Sequence, residues 1–244
     1  AILSDSEVTI CNVPEISDID SLEEILKFLN IDVKRATETV LINPSHMKNK
    51  EIPERIAKKL RASYYFMGAL LTKYKHVEMY FPGGCNIGAR PINIHLEGFK
   101  KLGATVIEDN NRYIIKADKL VGTNIYLDVA SVGATINLML AAVKAEGTTT
   151  LENAAREPEI VNVATFLNSM GAKITGAGTS VIKIKGVSKL TGGFTEIIPD
   201  RIEAGTYVIM GALLGNNLKI DNIIPSHLEA LTSKLLATGA NIEI

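Results

Sequence analysis

A supersecondary unit recurring at a step of about 70 residues constrains this chain more than any other feature, because a repeat fixes architecture before any motif is read. Helix ends of the form apolar, Gly, Ala, any residue, β-branched stand at Leu102-Gly103-Ala104-Thr105-Val106, Met170-Gly171-Ala172-Lys173-Ile174 and Thr238-Gly239-Ala240-Asn241-Ile242, with a looser copy at Leu29-Asn30-Ile31-Asp32-Val33. The three glycines are 68 residues apart, and Asn30 lies 73 before the first of them. Gly or Asn there suits the left-handed residue that closes a helix, and the β-branched residue begins a strand. A strand ending in a turn precedes each helix, at Val8–Asn12, Val77–Phe81, Thr149–Asn153 and Leu218–Asn222, and Pro14, Pro91, Pro158 and Pro225 follow at or near the next helix start. A further helix opening with small residues comes before those strands, at Arg61-Ala62-Ser63, Gly133-Ala134-Thr135 and Ala204-Gly205-Thr206. The unit therefore reads helix, strand, helix, then one or two strands, about three and a half times. An α/β assembly that starts and stops in mid-unit is expected to be part of a longer protein.

Composition restricts the partners. The 244 residues carry 26 Lys plus Arg against 27 Asp plus Glu, a net charge of −1, with no block of like charge. Bulk attraction to nucleic acid or to an anionic membrane is not indicated. The longest uncharged stretches, 129–143 and 204–218, are too short for a membrane span. Two cysteines, Cys11 and Cys85, lack the close Cys or His partners of a zinc site or redox pair. The chain opens at Ala1 with no basic-then-apolar leader, so the expected location is cytoplasmic.

One loop differs from its counterparts. Asn12, Asn153 and Asn222 reach their Pro within 2 to 5 residues, whereas Phe81 to Pro91 takes 10, through Pro82-Gly83-Gly84-Cys85-Asn86-Ile87-Gly88-Ala89-Arg90. A Gly-rich insertion of this kind suits closure over a ligand. Cys11, inside an alternating strand, reads as a packing residue. Cys85, flanked by Gly-Gly and followed by Arg90, reads as a thiol able to act as nucleophile or tunable acid. Behind Arg90 a helix buries Ile92, Leu96, Phe99 and Leu102, and its free N–H groups beside a guanidinium outline a phosphate or carboxylate site. His95, one turn in, reads by itself as a hydrogen-bonded, partly buried imidazole. Arg61, Ser131-Val132-Gly133 and Asp200-Arg201 open the three small-residue helices. Of seven arginines, Arg61, Arg90, Arg156 and Arg201 occupy equivalent helix starts or loops, which predicts a common cationic face and an anionic substrate.

The string Pro-Gly-Gly-Cys-x-Ile-Gly-x-Arg-Pro at 82–91 closely resembles the enolpyruvyl transferases, specifically those that act on UDP-N-acetylglucosamine. So do Arg61-Ala62-Ser63, Ser131-Val132-Gly133-Ala134-Thr135, the run from Glu152 to Ile160, and Pro199-Asp200-Arg201-Ile202-Glu203. The shikimate-pathway members of the family lack the Cys loop. The resemblance implies an inside-out α/β barrel built from βαβαββ repeats, with residues 1–199 in a first domain that lacks its N-terminal element and 200–244 opening a second. It implies transfer of the enolpyruvyl group of phosphoenolpyruvate to the 3′-hydroxyl of UDP-N-acetylglucosamine with release of phosphate, an early step of peptidoglycan synthesis, and no metal or organic cofactor. Cys85 then corresponds to the residue that protonates the methylene carbon and that fosfomycin alkylates, and Arg61 and Arg90 to anion-binding arginines. Arg90, Pro91, Ile92, Asn93, Ile94 and His95, with Ser131, Val132 and Gly133, correspond to the segments that hold uridine and diphosphate. Glu157, Asp200 and Arg201, inside the matching motifs, complete the substrate-binding set. Asn93 stands where many members have Asp, and Val129 where some have Lys. The family's Lys-Asn pair, carboxylate base and further arginine have no counterpart among these residues. A sugar-nucleotide-binding fragment or paralogue without the full catalytic set is the competing reading.

Overall fold

The computed structural model describes residues 1–83, 92–215 and 217–244. Cys85, Arg90 and Pro91 lie outside the described residues. By contacts the chain divides into Ala1–Glu196 and Ile197–Ile244.

The first unit opens with β1 (Val8–Cys11), α1 (Ser17–Phe28), β2 (Asp32–Ala36) and β3 (Thr39–Asn43). Next come α2 (Glu54–Ala57), a 3-10 turn at Arg61–Tyr64, α3 (Tyr65–Tyr74), β4 (His76–Tyr80), α4 (Asn93–Lys101), β5 (Thr105–Asp109) and β6 (Arg112–Lys116). It closes with β7 (Asn124–Tyr126), α5 (Val132–Ala142), β8 (Thr148–Glu152), α6 (Pro158–Ser169), β9 (Lys173–Thr175), β10 (Val181–Lys185) and β11 (Phe194–Glu196). The span from β7 to β10 is one complete βαβαββ unit.

Among the described residues the strands form three sheets, in the orders β11-β1-β3-β2, β4-β6-β5 and β7-β8-β10-β9. Parallel pairing joins β7 to β8 across α5, Ile52 to Met79 by a single bridge across α3, and β11, late in the unit, to β1 at its start. The remaining pairs are antiparallel. Helices α3 and α5 lie inside, as an inside-out arrangement requires, and among the described residues the sheets stay separate, with no closed barrel. Pairing of β11 with β1 holds the chain in the first unit as far as Glu196.

The turn chemistry follows the repeat. Gly103, Gly171 and Gly239 take φ of 100°, 103° and 93°, and Asn30 takes 63°. Asn12, Asn153 and Asn222, each just past an expected strand, share φ of 54–57°, a left-handed conformation that Asn tolerates better than most residues. Pro158 sits in the first turn of α6, where its missing N–H removes no helical bond.

The core is the contact of α3 with α5. Phe66 to Thr72 are all buried on α3, as are Ala134 to Met139, Ala141 and Ala142 on α5. A helix apolar on every side belongs in an interior. The two approach closely because Gly68 has no side chain: a Cβ there would lie 2.3 Å from the Asn137 carbonyl oxygen. At Gly98, where α4 crosses α5, a Cβ would lie 2.4 Å from Leu138.

The second unit contains α7 (Arg201–Leu214), a 3-10 turn at Pro225–Leu228 and α8 (Glu229–Ala237). The strands expected at Leu218–Asn222 and Ala240–Ile242 do not form. A strand needs a partner for its N–H and C=O groups, and no strand of this unit is present among the described residues to provide one.

Gly68→Ala is expected to destabilise the protein by about 1–3 kcal/mol through overpacking against backbone, which outweighs the roughly 1 kcal/mol that Ala gains over Gly in a helix. Urea denaturation checks this, and a stability equal to or above the parent's would contradict it.

Candidate active site

Three helix starts meet at one junction in the first unit. The Arg61–Tyr64 turn leads into α3, Ile92 leads into α4, and Ser131 leads into α5 with its side chain accepting from the Ala134 N–H at 3.3 Å. A hydroxyl at this position satisfies one of the amides that a helix start leaves open. Gly133 allows the three to close up, since a Cβ on it would come within 2.6 Å of the Tyr64 hydroxyl and 3.2 Å of His95 Cε1. The Tyr64 ring meets His95 edge-on at 4.9 Å between centroids and Tyr65 at 4.5 Å. The Arg61 guanidinium lies 5.7 Å from the centre of the Tyr64 ring, a cation–π contact.

A fourth segment joins from the β8–α6 loop, where the Ala155 N–H donates to Thr135 Oγ1 at 3.1 Å. Within that loop Glu157 precedes α6, and its Oε2 accepts from the Arg156 N–H at 2.8 Å. Burial, then Tyr64 and Glu159, push the Tyr65 hydroxyl well above the usual range for a phenol.

His95 is 4% exposed. Its Nδ1 lies 3.0 Å from Asn137 Nδ2. Burial, and after it the positive charge of Arg61, bring its pKa down to about 4, so the imidazole is neutral near pH 7. Asn93 is exposed at the start of α4, Ile94 is half-buried, and Ile92 is buried. Arg61, Ser131, Val132 and Gly133 are all partly accessible.

The structure thus gathers Arg61, the residues opening α4, and Ser131 to Gly133, while Cys85, Arg90 and Pro91 belong to the undescribed segment. That segment starts beside a tight anchor. The Gly83 N–H donates to the Ala57 carbonyl at 3.3 Å, and a Cβ on Gly83 would fall 1.9 Å from the Lys58 carbonyl oxygen. Asp200 and Arg201 lie in the second unit, where Asp200 caps α7 by accepting from the Ile202 and Glu203 N–H groups at 2.7 and 3.4 Å. Sequence reasoning passed over Tyr64 and Asn137. The signal for Asn137 was a lone amide in the otherwise apolar run Ile136-Asn137-Leu138-Met139. Among the described residues no group of three or more His, Cys, Asp or Glu is placed to hold a metal ion, and no helix is long and apolar enough to cross a membrane.

Residues 1–244 match the model of the EPSP synthase (3-phosphoshikimate 1-carboxyvinyltransferase) family. The chain belongs to this family. Among its relatives, UDP-N-acetylglucosamine 1-carboxyvinyltransferase 2 of Bacillus subtilis (strain 168) is 54% identical over 242 residues, covering 99% of this chain and 56% of the relative. The protein of the same name from Lactiplantibacillus plantarum is 51% identical over 247 residues, covering 100% and 58%. The chain therefore spans just over half the length of these curated relatives. Among solved structures, the enolpyruvyl transferase NikO from Streptomyces tendae superposes with a TM-score of 0.77 at 24% identity, over 88% of this chain and 52% of its own. EPSP synthase from Acinetobacter baumannii gives 0.66 at 17% identity, over 86% and 48%. These two likenesses establish the α/β enolpyruvyl transferase fold.

The His95 environment sets a pH dependence. A histidine held near 4 when folded and near 6.5 when unfolded leaves the unfolded chain binding more protons between those values, so stability rises with pH through that window and falls on acidification. Between pH 7 and pH 5 the loss from this group is expected to be about 2 kcal/mol. Urea denaturation of the parent and of His95→Gln at both pH values isolates it, and equal pH dependence in the two would contradict the assignment.

Proposed function

We propose that the protein containing these residues transfers the enolpyruvyl group of phosphoenolpyruvate to the 3′-hydroxyl of UDP-N-acetylglucosamine, releasing phosphate, in peptidoglycan precursor synthesis. The observation that carries this reading is the 54% identity, across 99% of the chain, to an enzyme named for that reaction. The loop of residues 82–91, with its cysteine, adds to it.

In this reading the sugar hydroxyl gives its proton to the family's carboxylate base as its oxygen bonds to C2 of phosphoenolpyruvate, while the Cys85 thiol gives its proton to C3, forming a tetrahedral adduct. Loss of a proton from C3 then expels phosphate and regenerates the double bond in the product. Arg61 and Arg90 balance the charge of the anionic substrates, and Ile92 to His95 with Ser131 to Gly133 seat the nucleotide. In this reading the Cys85 thiol keeps its proton while the anionic substrate is bound, because a neighbouring negative charge opposes the thiolate. Asp200 and Arg201 supply further substrate contacts. No metal or organic cofactor enters the scheme, and the enzyme works in the cytoplasm.

Turnover by the full-length protein tests the reading: phosphate release from phosphoenolpyruvate should require UDP-N-acetylglucosamine and not be supported by shikimate 3-phosphate. Cys85→Ser should lose most activity because a hydroxyl is too weak an acid near neutral pH, while Cys85→Asp should keep some, falling as pH rises. Both variants should resist alkylation by the epoxide fosfomycin. Residues 1–244 alone should show no turnover, and full activity from them would overturn that expectation, whereas preference of the full-length protein for the shikimate substrate would refute the proposal.

A further inference from the structure

Asn137 sits on a buried helix whose only other buried polar side chain is Thr135, and it is 0% exposed. A buried carboxamide left without partners costs about 1–3 kcal/mol, and this one has three. Its Oδ1 accepts from the Gly68 N–H at 2.9 Å, and its Nδ2 donates to the Tyr64 carbonyl at 3.0 Å and to His95 Nδ1 at 3.0 Å. The two backbone partners fix the orientation of the amide, because an N–H only donates and a carbonyl only accepts. The second Nδ2 hydrogen must then point at His95 Nδ1, which makes that nitrogen the bare, accepting one and puts the ring proton on Nε2.

One side chain therefore joins three helix beginnings. It clasps the first turn of α3 through Gly68 and the preceding 3-10 turn, to which Arg61 and Tyr64 belong, through the Tyr64 carbonyl, and it holds the first turn of α4 through His95. Gly133, one turn earlier on α5 and on the same face, packs against the same two rings, Tyr64 and His95. An apolar residue in its place would leave the Gly68 N–H, the Tyr64 carbonyl and His95 Nδ1 without this partner, so the amide also contributes to stability.

We propose that Asn137 is a positioning residue for substrate binding: acting through Tyr64 and His95, it holds Arg61, the start of α4 and Ser131 to Gly133 in the arrangement that the nucleotide sugar needs. The identity of that substrate rests on the enolpyruvyl transferase reading above, whereas the clasp rests on the hydrogen bonds alone. Among the described residues, the charged and titratable groups set against the His95 ring are Arg61, whose charge opposes protonation, and Tyr64.

The test uses the full-length protein and two variants. Asn137→Leu removes all three bonds, and Asn137→Asp keeps the acceptor for Gly68 but loses both donated bonds. Steady-state kinetics should show the KM for UDP-N-acetylglucosamine raised about tenfold in both, with kcat within about twofold of the parent. The 15N resonances of His95, assigned with His95→Gln, should show at about pH 6 a neutral ring with its proton on Nε2, where an unperturbed imidazole would be mostly charged. In Asn137→Asp the proton should move to Nδ1, facing the new carboxylate. A purely structural residue would lower the melting temperature without moving KM, so an unchanged KM in either folded variant overturns the proposal, and if the Leu variant does not fold the Asp variant decides. A doubly protonated His95 in the parent at about pH 6 overturns the clasp. A parent protein that does not turn over UDP-N-acetylglucosamine refutes the functional reading and the substrate named here, and the His95 spectrum then decides the clasp independently.

Discussion

The approach of α3 to α5 is the constraint on which the rest of the first unit depends. Close-packed interiors leave no slack for a misplaced atom, and a Cβ on Gly68 would meet the Asn137 carbonyl oxygen at 2.3 Å. With the two helices pressed together, Thr72 Oγ1 comes within 2.9 and 2.8 Å of the Leu140 and Ala141 carbonyl oxygens, so a polar side chain is satisfied inside the core. The sheets then cover the pair. Ile115, Ile125, Leu151, Ile182 and Ile184 are each no more than 1% exposed on their inward faces.

That packing fixes where the helices begin, and their beginnings are where chemistry is available. Amides at a helix start are unsatisfied within the helix and carry a partial positive charge. Bringing three such starts together near Arg61 produces a surface suited to phosphate and carboxylate groups, without any metal ligand cluster among the described residues. His95, kept neutral by burial, links two of these starts without adding a charge of its own. The fold and the candidate site are therefore one arrangement: the residues that bring α5 close to α3 and α4, Gly68, Gly98 and Gly133, also set the spacing of the groups that would meet a substrate.

Much of this was legible in the sequence for a physical reason. Helix ends at Gly103, Gly171 and Gly239 need a left-handed residue, and few residues tolerate it, so the repeat left a visible mark. Pro158 marked a helix start equally well. The strand expected at Leu218–Asn222 was not realised, because a strand depends on a partner that local pattern does not encode. The Arg61–Tyr64 turn was read as the opening of a continuous helix and is instead a 3-10 segment ahead of α3. Of the site, Arg61, His95 and Ser131 to Gly133 were found by motif and lie together, while Tyr64 and Asn137 were missed. Their roles arise from contacts 42 to 73 residues away in the chain, which no local spacing reveals.

The central claim is that the starts of α3, α4 and α5 form a single seat for a nucleotide sugar. Hydrogen–deuterium exchange of the full-length protein, with and without UDP-N-acetylglucosamine, tests it most directly, because exchange reports protection segment by segment. The account predicts slowed exchange in 61–65, 92–96 and 131–135 together on adding the ligand. Binding that protects other segments and leaves these three unchanged would contradict it.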